Sequence, residues 1–329
     1  MTYLSLVTAA RNDDYGGNQL QRMQCFLDSV LAFSDEYSAD IEVIIVEWNP
    51  PEDQPLLKDE LSNNYPESST VVRFIQVANK IHESLPNSDE MPLFEYIAKN
   101  AGIKRAKGDY ILATNPDLIY NKELIRFFSE KKLQDDKFYR INRYDVGELV
   151  PLNLTVEERL KFCSNNTTEI RRRSNYWSKD SLYNYMKDLV YDHIFDLRKA
   201  KVNLQSLLTL KSPSSIYELH CHSSGGFLLT AKENWYDLRG YPELDLNFHI
   251  DSFGVVNMAA SGLEQEILEN PIKMYHPEHE TYHEERPQLD WGGLVRESQK
   301  MLREGEPRIL NDEDWGLGDR ELQEYKLRR

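Results

Sequence analysis

The sequence is poor in cysteine and lacks the usual phosphate-binding loops. Its three cysteines lie far apart and form no CxxC pair, which argues against a disulfide framework and favours a reducing compartment. No segment matches GxxxxGK(S/T) or GxGxxG, so a backbone cradle for a diphosphate is not predicted. There is no run of about 18 apolar residues, and the first residues lack the basic start of a signal peptide. We therefore expect a cytoplasmic protein without a transmembrane segment, either free or bound peripherally at the inner face of a membrane.

Basic residues are fewer than acidic residues. The chain has 39 Lys and Arg against 55 Asp and Glu, a formal net charge of −16. This charge opposes nonspecific binding to nucleic acid, so no nucleic-acid partner is predicted. An anionic substrate would need a local cation to offset the repulsion. With 40% hydrophobic and 29% charged residues, the 329-residue chain has the composition of an ordinary globular protein that can bury a sizeable core.

The first 120 residues alternate strand and helix patterns. Strand-like runs cover residues 3–10, 41–48, 70–77 and 109–114, and the middle two are almost continuously apolar, as in sheets buried on both faces. Apolar residues at helical spacing follow the first run, and a second helical face precedes the last. This order predicts a mainly parallel α/β sheet with crossover helices.

The rest of the chain changes character twice. Residues 121–215 are polar with few strand patterns, and we expect a mainly helical insertion there. Strand patterns resume in SIYELHCH (215–222) and GGFLLTA (225–231), and a helix is predicted to begin near Asp251. The expected division is residues 1–120, a helical insertion at 121–215, a second half at 216–283 and a C-terminal extension at 284–329.

Polar side chains follow three of the predicted strands. Arg11 and Asn12 come after the first, Glu47 ends the second, and Asn115 and Asp117 follow the fourth. Open parallel sheets bind ligands outside the carboxyl ends of their strands, so we expect these residues to meet at one edge. Each loop taken alone is equally consistent with an ordinary turn. Asp117, two residues beyond an amide, suits a hard cation such as Mg²⁺ or Mn²⁺, which would bridge to substrate phosphates.

The run EYIAKNAGIKRAKGDYILATNPDLIY, residues 95–120, resembles a segment of GT-A fold, family 2-type glycosyltransferases. In that family the segment reads roughly R/K-N-x-G-(I/L)-x-x-A-x-G-(D/E)-Y-(I/L) and ends in a D-x-D motif that binds the sugar-nucleotide diphosphate through a divalent metal. Here the motif is Asn115-Pro116-Asp117. The resemblance implies a Rossmann-like, GT-A-type sheet, with Asp117 as a metal ligand and Asn115 as a contact to ribose or sugar. Asn100 lies in the same nucleotide-sugar segment.

Two other stretches are similar to the same family. LSLVTAARND (4–13) resembles its first strand and base-binding loop, and Glu47 stands where such enzymes carry an Asp that binds the base. SSGGFLLTAKENWYDLRGYPE (223–243) resembles its acceptor-side stretch. The resemblance covers about residues 1–120 and 220–280. It implies donor contacts from Ala9, Arg11, Asn12 and Glu47, and acceptor-side positions at Gly225, Gly226 and Tyr241.

Asp251 and His276 complete the predicted site. Asp251 aligns with the carboxylate that acts as general base in inverting members, and a helix-capping role is compatible with the same position. In several families of this fold a histidine after the last core strand completes the metal shell, which points to His276. His279 is a weaker metal candidate, and His283 is expected to be solvated. For the run 171–173, three arginines, a solvated surface is favoured over contact with an anionic acceptor or the diphosphate.

These expectations predict a metal-dependent glycosyltransferase that uses Mn²⁺ or Mg²⁺. It would move a sugar from a nucleotide-diphosphate donor to a carbohydrate or other hydroxyl acceptor, with inversion and Asp251 as the base. A nucleotidyltransferase is an alternative, although that class prefers a Gly-rich loop bearing Lys or Arg after the first strand. A binding module that kept the fold but lost activity is another, and Asn115 is its best support. The donor sugar, the base, the acceptor and the oligomeric state are not specified by these residues.

Overall fold

Within the described residues, the chain folds into two β-sheets, with helices on both faces of the larger one. The computed structural model describes residues 2–62, 68–172, 176–178, 216–244, 249–280 and 291–327. The strands are β1 (Leu4–Ala10), β2 (Ile41–Trp48), β3 (Val71–Val77), β4 (Tyr110–Thr114), β5 (Ile119–Tyr120), β6 (Lys137–Ile141), β7 (Arg143–Val146), β8 (Thr167–Arg171), β9 (Tyr176–Ser178), β10 (Phe227–Ala231), β11 (Glu264–Leu268), β12 (Met274–Pro277) and β13 (Gln323–Leu327). The helices are α1 (Gln19–Tyr37), α2 (Leu57–Ser62), α3 (Asn79–His82), α4 (Glu95–Lys104), α5 (Lys122–Ser129), α6 (Val156–Asn165), α7 (Lys232–Asp237), α8 (Ile250–Ala260) and α9 (Trp291–Glu304).

The larger sheet has eight strands in the order β11-β6-β10-β4-β1-β2-β3-β13. Six of them run in one direction, and only β10 and β13 are antiparallel to their neighbours. All residues of β1, β2 and β4 are buried, as expected for apolar strands covered on both faces. The prediction of an α/β fold with a mostly parallel central sheet flanked by helices is confirmed.

Two hydrophobic clusters cover the faces of this sheet. On one face α1, α2 and α5 pack with residues such as Phe26 and Leu124, and on the other α4, α7, α8 and α9 pack with residues such as Ile97 and Val255. Burying each such side chain contributes about 1.5–3 kcal/mol, so the sheet forms a rigid base for the loops at its edge.

The smaller sheet lies beyond the carboxyl ends of the larger one, in the order β5-β12-β7-β8-β9. Chain connectivity requires this position, because β5 follows β4 after four residues and β7 follows β6 after Asn142 alone. In the parallel β12–β7 pair, His276 lies beside Asp145. Tyr275 pairs with Ile119 of β5, two residues beyond Asp117. The small sheet therefore brings polar residues from three distant segments to one edge.

Two sequence-based predictions are corrected by the structure. In the described part of 121–215, residues 121–172 hold α5 and α6 but also β6, β7 and β8, and β6 is an inner strand of the larger sheet. The strand sequences KFYRI and RYDV were missed because buried charged residues, Arg140 and Asp145, interrupt the apolar pattern. The stretch 215–222 was expected to be a strand, but it contains a 3-10 turn at Ile216–Glu218. Most of 173–215 lies outside the described residues.

The C-terminal extension is part of the same body. Helix α9 packs on α8, and β13 pairs with β3 at the edge of the larger sheet. Arg73 of β3 holds β13 through two bonds to Glu324, of 3.0 and 2.9 Å. None of the helices in the described ranges is long and apolar enough to cross a membrane.

Candidate active site

A cleft of about 920 Å³ opens at the carboxyl ends of β1 and β4. One wall is the loop after β1 and the turn after β4, and the other is the 3-10 turn Ser224–Gly226 and the start of α8. The end of β12 closes one side. The predicted site residues that line the cleft are Ala9, Arg11, Asn115, Asp117, Gly225, Gly226, Asp251 and His276.

Asp117 meets two histidines in this cleft. Its Oδ2 lies 3.1 Å from Nε2 of His279 and 3.8 Å from Nε2 of His276. One ligand atom from each of the three residues falls within 4.8 Å of the others. The structure thus brings together the predicted ligands Asp117 and His276, and it places His279, expected to be the weaker candidate, closer to Asp117 than His276.

The ring of His276 is oriented by a buried carboxylate. Its Nδ1 lies 3.1 Å from Oδ1 of Asp145, which is itself held by Arg143 and by Arg171, whose Nε is 2.6 Å from Oδ2. Burial and Arg143 lower the pKa of His276, so the ring is neutral and donates its Nδ1 proton to Asp145. The lone pair of Nε2 then faces Asp117. A carboxylate behind a histidine in this way is typical of metal sites.

His279 faces Asp117 with the same kind of atom. Its Nδ1 lies 2.8 Å from the carbonyl oxygen of Glu280, which fixes the proton there in the neutral ring and leaves Nε2 as an acceptor. Nε2 lies 3.1 Å from Oδ2 of Asp117, so a protonated ring donates to the carboxylate, whereas in the neutral ring the two atoms are available to share a cation. The loop after β1 holds this ring in place, because a Cβ at Gly16, where φ is +72°, would lie 2.4 Å from Nδ1.

A divalent cation fits this arrangement. Burial raises the pKa of Asp117, but the hydrogen bond from His279, the charges of the two histidines when they are protonated at low pH, and Arg22 outweigh that effect and hold it well below its usual range. The carboxylate is therefore ionised, and its Oδ1 is buried without a hydrogen-bond partner in the described part of the chain. One carboxylate and two imidazoles suit a first-row ion such as Mn²⁺ better than Mg²⁺, which prefers oxygen ligands only.

Arg22 is a site residue that sequence reasoning missed. Its Nη1 donates to Asp117 Oδ2 at 2.8 Å, and its Nε donates to the Gly17 carbonyl at 3.3 Å. Arg22 lies in α1, far from any motif, and its neighbours in the sequence form an ordinary amphipathic pattern. It supplies a local positive charge in a chain whose net charge is −16.

Asp251 lies on the opposite wall, in the first turn of α8. Its Oδ2 accepts the Gly225 amide and its Oδ1 accepts the Ser252 amide, both at 2.8 Å. The N-cap of α8 is His249, so Asp251 does not occupy the capping position that the sequence left open. His222 and His249 line the same wall, and burial lowers the pKa of each, which keeps both rings neutral near pH 7.

Four predicted binding residues, Asn12, Glu47, Asn100 and Tyr241, do not line the cleft, and each is bonded or packed within the protein. Asn12 donates to the Pro55 carbonyl at 2.8 Å, and Glu47 accepts the Leu57 amide at 2.7 Å. Burial raises the pKa of Glu47 to about 7. Asn100 is fully buried and bonds both the amide and the carbonyl of Tyr241 at 2.8 Å. Tyr241 is itself fully buried against Tyr96 and Trp235.

Of the remaining candidate residues, one lines the cleft and one makes a structural contact among the described residues. Arg171 lines the cleft and bonds Asp145, so it is not only a solvated surface residue as favoured from the sequence. His220 is buried, and its Nε2 lies 3.2 Å from Oδ1 of Asn142, a structural contact. Arg173 and His283 lie outside the described residues.

No protein-family model matches the chain, and no curated protein matches it. Among solved structures, it resembles TarS 1-349 of S. aureus with a TM-score of 0.45 and 14% identity, over 84% of this chain and 60% of that one. The mannosyltransferase PcManGT from Pyrobaculum calidifontis, in complex with GDP-Man and Mn²⁺, gives 0.42 and 11% over 85% and 57%. GalNAc-T7 with UDP, GalNAc and Mn²⁺ gives 0.46 and 10% over 84% and 43%. The chain thus spans about 60% of the TarS 1-349 structure, and these likenesses carry no information about the residues of its cleft.

Proposed function

We propose that the protein is a metal-dependent, GT-A-type glycosyltransferase that moves a sugar from a nucleotide-diphosphate donor to an acceptor hydroxyl. One observation carries the proposal. A carboxylate with two imidazoles, Asp117 with His276 and His279, faces across a single cleft toward a second carboxylate, Asp251. A metal-bound diphosphate and an acceptor hydroxyl are the two ligands that such a pair of walls would hold.

The wall formed by Ser224–Gly226 and the start of α8, here called the acceptor wall, supplies the general base. As the acceptor oxygen forms a bond to the anomeric carbon, its proton passes to the Asp251 carboxylate, and the bond from that carbon to the diphosphate oxygen breaks with its electron pair leaving on the diphosphate. Attack from the wall opposite the leaving group inverts the anomeric centre. The two backbone amides of Gly225 and Ser252 fix the carboxylate in one orientation. A positioned base contributes roughly 10²- to 10⁴-fold.

The wall formed by the loop after β1 and the turn after β4, here called the donor wall, binds the negatively charged diphosphate. When bound, Mn²⁺ or Mg²⁺ would neutralise the diphosphate and stabilise it as a leaving group. Asp117, His276 and His279 would hold the ion, and Asp145 keeps His276 in the required tautomer. Arg22 and Arg171 add cations on this side of the cleft. The Oδ1 of Asn115 accepts a hydrogen bond from the Lys99 ammonium, so the amide NH₂ group of Asn115 points away from Lys99. In the proposed function these N–H groups donate to ribose or sugar hydroxyls.

Calorimetry with a panel of nucleotide sugars tests this function, each titrated with and without Mn²⁺. We expect at least one donor to bind only when the ion is present, and slow hydrolysis of that donor without acceptor. Asp117→Asn should remove the metal-linked part of the binding. Binding of nucleoside triphosphates with pyrophosphate release would instead indicate a nucleotidyltransferase, and metal-linked binding with neither hydrolysis nor transfer would indicate an inactive binding module.

A further inference from the structure

Lys99 has an unusual environment for a lysine. It lies in α4 with its side chain fully buried, and its ammonium donates three hydrogen bonds. The acceptors are Glu95 Oε1 at 2.6 Å, Asn115 Oδ1 at 2.7 Å and the Gly225 carbonyl at 2.8 Å. A lysine ammonium has three N–H donors, so every one is used. Burying a charge in this way is favourable only when it is paired and fully hydrogen-bonded, as it is here with Glu95.

Two of these acceptors belong to opposite walls of the cleft. Asn115 is on the donor wall, directly after β4. Gly225 is on the acceptor wall, and its amide on the other side of the residue donates to Asp251 at 2.8 Å. A continuous chain of three hydrogen bonds therefore joins Asn115 to Asp251 through the Lys99 ammonium and Gly225. A second bond, from Thr114 Oγ1 to the Gly226 carbonyl at 2.9 Å, ties the same two segments together.

The position of Gly225 leaves no room for adjustment. A Cβ at this residue would lie 2.8 Å from the Tyr96 hydroxyl and 3.6 Å from Oδ2 of Asp251. The turn is thus wedged between α4 and α8, and Lys99 fixes it from the donor side. Any shift of the Gly225 carbonyl moves the amide that orients the carboxylate.

We propose that Lys99 is a positioning residue that sets the distance between the donor wall and the acceptor wall. Its ammonium binds the Asn115 side chain on one wall and, on the other, the carbonyl of Gly225, whose amide bonds Asp251. The proposal rests on the proposed glycosyl transfer and deepens it. It also accounts for Asn115 in place of a carboxylate, because a neutral amide accepts one Lys99 bond and leaves the charge of Lys99 balanced by Glu95 alone. A misplacement of about 1 Å between reacting groups can cost about 10²-fold in rate.

The structural part of the proposal can be tested without any substrate. Lys99→Met removes the ammonium and keeps most of the stem, and Lys107→Met, an exposed change just after the same helix, is the control. Labelling serine with ¹³C at the carbonyl and glycine with ¹⁵N selects only the Ser224–Gly225 and Ser261–Gly262 pairs of the sequence. We expect the Gly225 amide resonance to move in Lys99→Met, and Gly262, in a distant open turn, to stay. An unmoved Gly225 resonance overturns the proposal.

The functional part uses the donor found by calorimetry with the full chain. In Lys99→Met we expect kcat for transfer to fall about 10²-fold while the donor Kd changes less than about threefold, and Lys99→Arg to recover part of the loss. Equal loss of donor binding and transfer, or transfer within about twofold of wild type, contradicts a positioning role. Lys99→Gln, which keeps an amide donor, replaces Lys99→Met if that variant does not fold. If wild type binds no donor, the proposed function fails, and the Gly225 resonance still decides the role of Lys99.

Discussion

Two groups of polar residues that the sequence marks as site candidates behave in opposite ways. The metal-side cluster (Asp117, His276 and His279) brings a carboxylate oxygen and two imidazole nitrogens together and leaves Asp117 Oδ1 buried without a partner in the described ranges. The inner cluster (Asn12, Glu47 and Asn100) spends its hydrogen bonds on the protein's own backbone.

The difference shows what separates a ligand-binding residue from a structural one at this edge. Both clusters are polar residues that a strand-end position or a family motif marks as site candidates, so these sequence signals alone do not distinguish them. What differs is whether the chain already satisfies the side chain. Buried polar atoms without partners cost free energy, and a site that retains them has the capacity to bind a ligand that satisfies them.

The largest expected effect comes from the acceptor wall. Asp251→Asn keeps the shape of the side chain but removes the base, so transfer should fall about 10²- to 10⁴-fold. Its single amide oxygen accepts only one of the two amides, Gly225 and Ser252, that Asp251 holds. Donor binding measured by calorimetry should be unchanged. Asp237→Asn, an exposed change in α7, is the control. An Asp251→Asn enzyme with full transfer activity would show that the proton goes elsewhere.

The next effect tests the metal-side cluster. His279→Ala should weaken Mn²⁺ binding by at least about 10- to 100-fold, the loss that is typical when only the partner behind a ligand is removed, and His276→Ala should act to a similar extent. Electron paramagnetic resonance of free Mn²⁺ measures both without any substrate. Asp13→Asn keeps the cleft and changes a carboxylate that bonds Arg11 and is none of the three ligands, so it serves as the control. Wild-type Mn²⁺ affinity in His279→Ala would restrict the site to Asp117 and His276.

Strands and helices with a regular pattern of apolar residues could be predicted from the sequence. Strands β1 to β4 and helices α1, α4 and α8 were found because each buries a regular apolar pattern. Strands β6 and β7 were not, because they bury Arg140 and Asp145, whose partners come from the backbone at His220 and from His276, far along the chain. No local pattern reports a partner more than 75 residues away.

The site residues that belong to sequence motifs could be predicted. Asp117 and Asp251 follow from the strand-end position and the family resemblance. Arg22 acts through a long-range contact to Asp117, and Lys99 through contacts to Asn115 and Gly225. No motif marks Arg22, and Lys99 stands at the R/K position of the family motif, which does not indicate these contacts. Asn100 shows the reverse case, since a motif residue that was expected to touch the donor instead anchors Tyr241.

Two asparagines give a direct test of the comparison, with stability as the main readout. Asn100→Ala leaves the buried Tyr241 amide without its partner and removes one of the two bonds to the Tyr241 carbonyl and to Glu243 Oε1, so we expect the free energy of unfolding to fall by about 3 kcal/mol. Asn115→Ala removes one of the three bonds of the buried Lys99 ammonium and should cost about 1.5–3 kcal/mol while weakening donor binding, which Asn100→Ala should leave unchanged. Denaturant unfolding and calorimetry measure the two quantities. The reverse pattern would place Asn100, not Asn115, at the donor.

The smallest expected effect concerns pH. Burial raises the pKa of Glu47 to about 7, above its ordinary value of 4.5, so the folded state binds a proton that the unfolded state has released between those values. The stabilisation is fully present below pH 4.5 and is lost as pH rises through about 7. Glu47→Gln keeps an oxygen for the Leu57 amide and carries no charge. We therefore expect this variant to be about 1–2 kcal/mol more stable than wild type at pH 8 and equal to it near pH 5. Thermal unfolding across this range measures the difference, and a constant offset between the two proteins would mean that Glu47 stays ionised in the folded state.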